Sequence, residues 1–251
     1  MSLSDFLDQF TPAGLPLGLV HCTPVIRGVQ ALNTGELRAE NCPVYGESLV
    51  YLFYGRPAFK PLAGMAASSM AEHLPMCLVF DSSALASAER ILPFDSGGFD
   101  RYAPSTGTLN REAFELAGGA DTPPRLVAAF YETNLNYYRQ MPTVRPEDIS
   151  NLYPEARAIA RLANDETIQD DDDRRTTIEV QFSRGVALRD SLVAIIGPAA
   201  LEVEVPILRV LEECPNAVLR TYRTYGRQKA LAHAGQLYEL VEDFFRWRTL
   251  L

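Results

Sequence analysis

Lysine is almost absent from this chain. Lys60 and Lys229 are the only two in 251 residues, so arginine supplies most of the 23 basic side chains, and 32 acidic side chains outnumber them. The resulting formal net charge of -9 disfavours a large non-specific nucleic-acid surface, because phosphate binding requires clustered basic residues. A local basic groove is still compatible with this composition.

Paired cysteine motifs and long apolar runs are also missing. The four cysteines form no CxxC pair, and scattered thiols are atypical of structural zinc sites, so we expect no metal. The N-terminal sequence MSLSDFLDQF lacks the features of a signal peptide, and no apolar run reaches the roughly 20 residues that span a bilayer. These absences predict a cytoplasmic protein with reduced thiols and no membrane contact.

Several catalytic signatures are absent as well. The sequence contains no GxxxxGK[ST], no GxGxxG after a strand and no GxSxG, which disfavours P-loop, Rossmann and serine-hydrolase chemistry. It shows no repeat of fixed period and no long polar linker. One α+β domain over residues 1–251 is therefore the simplest expectation.

Hydrophobic patterning gives the expected elements of this domain. Strands are predicted over residues 17–21, 49–54, 76–80, 176–182 and 218–222, and 192–198 is either a strand or a buried turn. Helices are predicted over 2–10, 24–33, 84–90, 109–117, 124–139, 154–164, 206–214 and 228–248. Thr23 is the expected N-cap of the second helix, and Gly35 its stop. Residues 64–73 are predicted as a flexible connection, and the acidic run 170–173 as a solvated loop.

Polar and aromatic side chains on or just beyond three predicted strands form one set of candidate site residues: His21, Thr23, Tyr51, Tyr54, Arg56 and Glu179. A sheet holds such groups in place, and a cleft for a small molecule is often built this way. Each residue type also has a structural interpretation. His21 could be a core residue that is hydrogen-bonded to the backbone. Tyr51 and Tyr54 could pack against other apolar side chains, and Glu179 could face solvent.

The order of these motifs resembles the ADP-ribosyltransferase superfamily. An HxT strand precedes an apolar helix and Gly-Glu-Leu, an aromatic strand ends in Tyr-Gly-Arg-Pro, and a Thr-Ile-Glu-Val strand comes late in the chain. The similarity covers residues 17–61 and 175–198 and is greatest to DarT-type DNA ADP-ribosyltransferases, with a more distant likeness to tRNA phosphotransferases of the same fold. The resemblance implies an α+β fold with a split mixed or antiparallel sheet and flanking helices.

The resemblance also implies that NAD is the co-substrate and that the candidate residues line one cleft. His21 and Thr23 would hold the nicotinamide ribose by hydrogen bonds. Either Tyr51 or Tyr54 would stack on the nicotinamide ring. Residues 94–99 have no assigned counterpart in these families, but their glycine and phenylalanine content suits a loop that closes over a nucleotide.

The same resemblance assigns the reaction to a carboxylate. Glu179 would bind a ribose hydroxyl and stabilise the positive charge that develops as nicotinamide leaves, and Arg56 would contact phosphate or the acceptor. Arginine-modifying toxins carry a second glutamate where this chain has Thr177, which disfavours arginine as the acceptor. The implied acceptor is a macromolecule, which could be DNA, RNA or protein, in a toxin or phage-defence setting with an antitoxin-like partner. The alternatives are a non-catalytic nucleotide- or partner-binding module of this fold and an NAD glycohydrolase.

Overall fold

The structure is a computed structural model that describes residues 1–61, 68–166, 173–226 and 228–251. In it the chain folds into a mixed β-sheet with flanking helices. The strands in this part are β1 Leu19–Pro24, β2 Glu36–Leu37, β3 Glu40–Cys42, β4 Glu47–Tyr54, β5 Pro75–Phe80, β6 Arg90–Leu92, β7 Leu116–Ala117, β8 Glu179–Phe182, β9 Val186–Ala187, β10 Leu192–Pro198 and β11 Val218–Tyr222. The α-helices are α1 Leu3–Leu7, α2 Val25–Thr34, α3 Ala103–Thr106, α4 Thr122–Tyr131, α5 Asn134–Tyr138, α6 Pro154–Ala163, α7 Leu188–Ser191, α8 Val205–Glu213 and α9 Ala234–Trp247.

The main sheet has the strand order β11-β10-β5-β1-β4-β8-β6-β7, and β3 pairs with β4 beside it. Neighbouring strands are antiparallel except for β10 and β11, which run parallel. A separate two-stranded ribbon joins β2 to β9. The predicted α+β class with a mixed, mostly antiparallel sheet and flanking helices is therefore confirmed.

The middle of the sheet is buried on both faces. Every residue of β5 and of β10 is buried, which explains why both segments are continuously apolar rather than alternating. Helix α2 packs against β1 and β5, and α9 packs against β5 and β10. Gly28 allows α2 to approach closely, because a Cβ atom there would lie 2.0 Å from the Met76 sulfur.

Strands β1 and β4 pair over only a short distance. Strand β1 pairs with β5 along its whole length, but it pairs with β4 at only two positions, Leu19 with Tyr54 and Val20 with Phe53. Strand β4 instead pairs with β8 from Val50 to Phe53. The two central strands therefore stop pairing immediately before His21.

A tight turn at Gly55 ends β4. Gly55 has a φ of 62°, and the Arg56 amide donates to the Tyr54 carbonyl at 2.6 Å. A Cβ atom on Gly55 would lie 2.3 Å from Leu17 Cδ1, inside the core. Glycine is needed here both for the left-handed backbone and for the close approach of Leu17. Arg56 therefore follows the turn and lies outside the strand.

Most predicted strands are confirmed with small shifts in their ends. Residues 218–222 form β11 as predicted, 49–54 and 76–80 lie within β4 and β5, and 192–198 is strand β10 rather than a buried turn. The first strand begins and ends later than predicted, at Leu19 and Pro24. The stop at Gly35 is confirmed, with a φ of 75°.

Several predicted elements are wrong at particular residues. Thr23 is not a helix cap, because it belongs to β1 and α2 begins without a side-chain cap. The predicted strand 176–182 begins only at Glu179, since residues 173–176 form a 3-10 turn. The predicted helix 124–139 is two helices, because Glu132 has a φ of 64° and Thr133 caps a new helix by accepting from the Asn136 amide.

Three further helices are shorter than predicted or are replaced. Residues 82–87 form a 3-10 helix and Arg90 starts β6, so 84–90 is not an α-helix. Residues 109–117 contain a 3-10 turn followed by β7, and residues 228–248 contain a 3-10 turn before α9. Residues 64–67 of the predicted connection and 170–172 of the acidic run lie outside the described residues. None of the helices in the described ranges is long and apolar enough to cross a bilayer.

The variants Gly55→Ala and Gly46→Ala distinguish the two reasons for glycine at position 55, which are the positive φ and the close approach of Leu17. Both glycines have positive φ, but a Cβ on Gly46 meets nothing within 4 Å. We expect Gly46→Ala to cost about 1 kcal/mol from backbone strain alone, and Gly55→Ala to cost about 1–3 kcal/mol more from overpacking against Leu17. Urea unfolding of both variants measures the difference. Equal losses would show that Leu17 exerts no packing constraint on the turn.

Candidate functional site

Glu179 is a buried carboxylate in the sheet. It opens β8, opposite Phe53 on one side and Leu92 on the other, and only 1% of the residue is exposed. Ser96 donates to both of its oxygens, through its hydroxyl to Oε1 at 2.7 Å and through its amide to Oε2 at 3.2 Å. The Gln181 amide adds a donor to Oε1 at 2.6 Å. These three hydrogen bonds fix the orientation of the carboxylate.

The protonation of Glu179 is strongly perturbed. Burial raises the pKa of Glu179 to about 7, and the neighbouring Asp95 carboxylate raises it further, whereas the hydrogen bonds from Gln181 and Ser96 act in the opposite direction. Asp95 is itself buried and pairs with Arg174 at 3.3 Å. A glutamate with a pKa near neutrality can exist in both forms at physiological pH, a property common among functional carboxylates.

A network of charged and aromatic groups continues from Glu179 across β8 and β6. Arg90 donates to the Gln181 side-chain oxygen at 2.6 Å and pairs with Glu47 and Glu115. The ring of Tyr45 lies between two guanidinium groups, with Arg90 at 4.2 Å and Arg111 at 4.3 Å from its centroid. Gln181 thus connects the carboxylate to a cluster of paired charges, in which Arg90 and Arg111 are neutralised by nearby glutamates.

Arg56 is buried and engaged with protein groups. Its Nε donates to the Tyr138 carbonyl and its Nη1 donates to the Thr177 hydroxyl, both at 3.1 Å. Its guanidinium also lies 5.8 Å from the ring centroid of Tyr238. Arg56 therefore connects the end of β4 to α5, to α9 and to the segment that leads into Glu179. Its predicted contact with phosphate or acceptor remains a prediction.

The two tyrosines of β4 differ in what they could offer a ligand. Tyr54 is fully buried, and its hydroxyl accepts from the Leu17 amide at 2.8 Å. Its carbonyl accepts from the Tyr137 hydroxyl, and the two rings are 6.0 Å apart. Tyr51 is half-buried, and burial raises its pKa, with smaller contributions in the same direction from Cys42 and from the charge of Glu179. Of the two alternatives for stacking, the geometry favours Tyr51.

His21 bridges the gap between β1 and β4. Its Nδ1 lies 3.1 Å from the Tyr51 carbonyl, which can only accept, so Nδ1 carries the proton. Burial lowers the pKa of His21, which favours the neutral ring and makes Nε2 an acceptor. Thr23 is two residues further along β1 and is buried.

Strand register divides the candidate residues between two faces of the sheet. Opposed residues in antiparallel strands share a face, and successive residues alternate. Glu179 opposes Phe53, which opposes Val20, so His21 projects to the other face. Tyr51 shares the Glu179 face, whereas Thr23 and Tyr54 share the His21 face. The expected single cleft is therefore not one side of the sheet, because His21 and Glu179 project from opposite faces. Of the predicted site residues, His21 and Tyr51 meet directly, through the Tyr51 carbonyl, where β1 and β4 separate.

The polar groups that hold Glu179 were not identified as site residues from the sequence. Gln181 could have been selected, because period-two alternation already places it beside Glu179. Ser96, Asp95 and Arg90 reach Glu179 or Gln181 only through the pairing of β6 with β8, which no local pattern reveals. The expected nucleotide-closing loop 94–99 is largely a 3-10 helix, Ser96–Tyr102.

The aromatic residues of that segment pack on protein. The ring of Phe94 contacts Phe99, Tyr102 and Phe114 at centroid distances of 5.7, 5.6 and 5.1 Å. Phe94 is fully buried. A separate surface cleft of about 580 Å³ opens at the other end of β8, lined in part by Ser83, Arg184 and Asp190, and none of the predicted site residues lines it.

Glu179→Gln should flatten the dependence of stability on pH. The pKa of Glu179 is raised by folding, so the wild-type protein should lose stability as pH rises from about 4.5 through about 7. The loss is on the order of 3 kcal/mol. The glutamine variant lacks this titration, whatever its baseline stability. Urea unfolding of both proteins at pH 5 and pH 8 measures the two changes, and equal changes would contradict a raised pKa.

Comparisons with known proteins assign no family to this geometry. The chain matches no protein-family model, and no curated protein or solved structure is significantly similar to it.

Proposed function

We propose that this chain is an NAD-dependent ADP-ribosyltransferase in which Glu179 is the catalytic carboxylate. The observation that supports the proposal most strongly is the environment of Glu179: a carboxylate buried in the sheet, held by Ser96 and Gln181, with a pKa of about 7. The motif order that resembles the superfamily supports the same residue. The acceptor is a macromolecule, either nucleic acid or protein.

The reaction breaks the bond between C1 of the nicotinamide ribose and the ring nitrogen. Nicotinamide leaves as a neutral molecule with the bonding electron pair, so the leaving group needs no proton. Positive charge then develops on the ribose, and a fixed carboxylate in a site that excludes water stabilises it. A nucleophilic oxygen or nitrogen of the acceptor forms the new bond to C1 and releases a proton to solvent. The ionised form of Glu179 is therefore the active form.

Oε2 is the carboxylate oxygen that a substrate could use. Within the described residues, Oε1 accepts from Ser96 and Gln181, whereas Oε2 accepts only from the Ser96 amide. An ionised carboxylate offers about four acceptor positions, so once the Ser96–Tyr102 segment moves aside a ribose hydroxyl would donate to Oε2, while Gln181 keeps its hydrogen bond to Oε1. Tyr51 would contact the nicotinamide ring, and His21 Nε2 and Thr23 would bind ribose from the gap between β1 and β4. Arg56 would act mainly by holding the segment that leads into Glu179.

Substrate access requires the Ser96–Tyr102 segment to move. This segment covers Glu179 and is anchored by the aromatic contacts of Phe94. Ligand-dependent opening of a covering segment is common in enzymes that exclude water from the reaction. The same burial favours the alternative function, a non-catalytic nucleotide- or partner-binding module in which the Ser96–Glu179 contact is structural.

Nicotinamide release from NAD distinguishes the two functions. We expect Glu179→Gln to reduce the rate by about 100-fold or more, because it removes the charge that stabilises the transition state. Glu89→Gln is the matched control, since Glu89 is an exposed glutamate just before β6 that touches the network around Glu179 only through its backbone amide, which donates to the Gln181 carbonyl and is kept in the variant. It should retain wild-type activity. Liquid chromatography of the reaction measures nicotinamide, and calorimetry with NAD measures binding.

Equal inactivity of wild type and Glu179→Gln with NAD binding intact would favour the non-catalytic module. If wild type is active, labelled NAD incubated with DNA, RNA and lysate protein identifies the acceptor. Label found only as free ADP-ribose would favour an NAD glycohydrolase.

Asp95→Asn and Ser96→Ala should move the pH profile of NAD cleavage in opposite directions. The wild-type rate should rise with pH through about 7, as Glu179 ionises. Removing the Asp95 charge lowers the pKa of Glu179, and removing the Ser96 hydroxyl bond raises it. Each midpoint should shift by roughly one pH unit. Rates measured from pH 5 to pH 9 test this, and shifts of the same sign would indicate general damage to the site.

A further inference from the structure

Two of the four cysteines are opposed on neighbouring strands. Cys22 of β1 is the direct antiparallel partner of Cys77 of β5. Opposed residues of an antiparallel pair project to the same face, with Cα atoms about 4.5 or 5.5 Å apart. A disulfide requires Cα atoms about 4.4–6.8 Å apart. The backbone therefore already holds both residues at a separation that a disulfide can bridge.

The two thiols also lie close to each other. Both side chains are reduced, and the Cys22 thiol is near enough to the Cys77 thiol to interact with it directly. Cys22 is half-buried, whereas Cys77 is fully buried and its thiol is directed toward the Leu78 carbonyl at 3.7 Å. An oxidant can therefore reach one member of the pair, and the second member is held beside it.

The other two cysteines lack this arrangement. Cys42 is opposed by Glu47 on β4, and Cys214 follows the end of α8. Both are buried. They provide internal controls, because any oxidation that depends only on the presence of a thiol would affect them as well.

We propose that Cys22 and Cys77 form a reversible disulfide when the protein meets a peroxide. Hydrogen peroxide oxidises the Cys22 thiolate to a sulfenic acid, and the first water is released. The Cys77 sulfur then attacks the Cys22 sulfur, the S–S bond forms, and the sulfenic oxygen leaves as a second water with the Cys77 proton. Overall, two thiols lose two electrons and two hydrogens, and one peroxide is reduced to two waters. A dithiol reductant reverses the reaction.

The consequence for activity rests on the proposed function, but the disulfide does not. By register, Cys22 and Cys77 lie on the same face of the sheet as Tyr51 and Glu179. Cys22 stands between His21 and Thr23, so a new bond there would constrain β1 where it separates from β4. On the proposed function, oxidation should slow nicotinamide release and reduction should restore it.

Peptide mass spectrometry of the peroxide-treated full chain tests the disulfide directly. Before alkylation, the intact mass should fall by about 2 Da, and a reductant should reverse the change. After alkylation under denaturing, non-reducing conditions, we expect two of the four thiols to be unavailable and a Cys22–Cys77 linked peptide. Cys42 and Cys214 should stay alkylated. Cys22→Ser, at a half-buried position, should leave Cys77 as fully alkylated as the two controls.

Two results would overturn the proposal. One is four intact thiols after peroxide treatment, and the other is Cys22 carried to sulfinic or sulfonic acid while Cys77 stays reduced. Neither result depends on NAD chemistry. A linked peptide in a protein that releases no nicotinamide would support the disulfide and count against the proposed function.

Discussion

The burial of the Glu179 carboxylate within the sheet is the constraint on which the arrangement of the surrounding polar groups depends. A charged glutamate cannot be removed from water without donors, and Glu179 receives them from Ser96 and Gln181. These donors come from β8 itself and from the segment after β6, so the β6–β8 pairing determines the state of the carboxylate. Asp95 opposes this stabilisation, because a second carboxylate nearby raises the pKa of Glu179. The balance leaves the pKa of Glu179 raised to about 7.

Arg56 and Tyr137 connect this carboxylate to the rest of the fold. Tyr137 donates its hydroxyl to the Tyr54 carbonyl and accepts from the Ile178 amide, and Arg56 bonds Thr177. Thr177 and Ile178, which lead into β8, are therefore hydrogen-bonded to Arg56 just after β4 and to Tyr137 of α5. Buried arginine side chains at such junctions fix geometry through several donors at once. On the proposed function, catalysis would therefore also depend on Arg56 and Tyr137, which position Glu179 through protein contacts.

Sequence patterns predicted the strands because continuous apolar runs are local signals, and most of β4, all of β5 and most of β10 are of that kind. They also identified Glu179 and placed it on one face of its strand with Gln181. They could not predict that Ser96 reaches Glu179, since the two residues are brought together by pairing between distant strands. Nor could alternation locate Arg56, because the positive φ of Gly55 ends the strand before it. Helix 124–139 was misjudged because Thr133, an internal cap, was not recognised.

The separation of β1 and β4 brings a group from one face of the sheet to the backbone of a residue whose side chain lies on the other. His21 reaches the Tyr51 carbonyl there, and the Tyr51 side chain shares the opposite face with Glu179. A ligand bound there could contact both sets of residues, which a flat face could not offer. A crystal structure with a non-cleavable NAD analogue tests most directly whether the ligand binds at Glu179 and at the separation of β1 and β4. We expect a nicotinamide ribose hydroxyl within hydrogen-bonding distance of Glu179 Oε2, and an analogue bound elsewhere with Ser96 still covering Glu179 would contradict a catalytic role for this carboxylate.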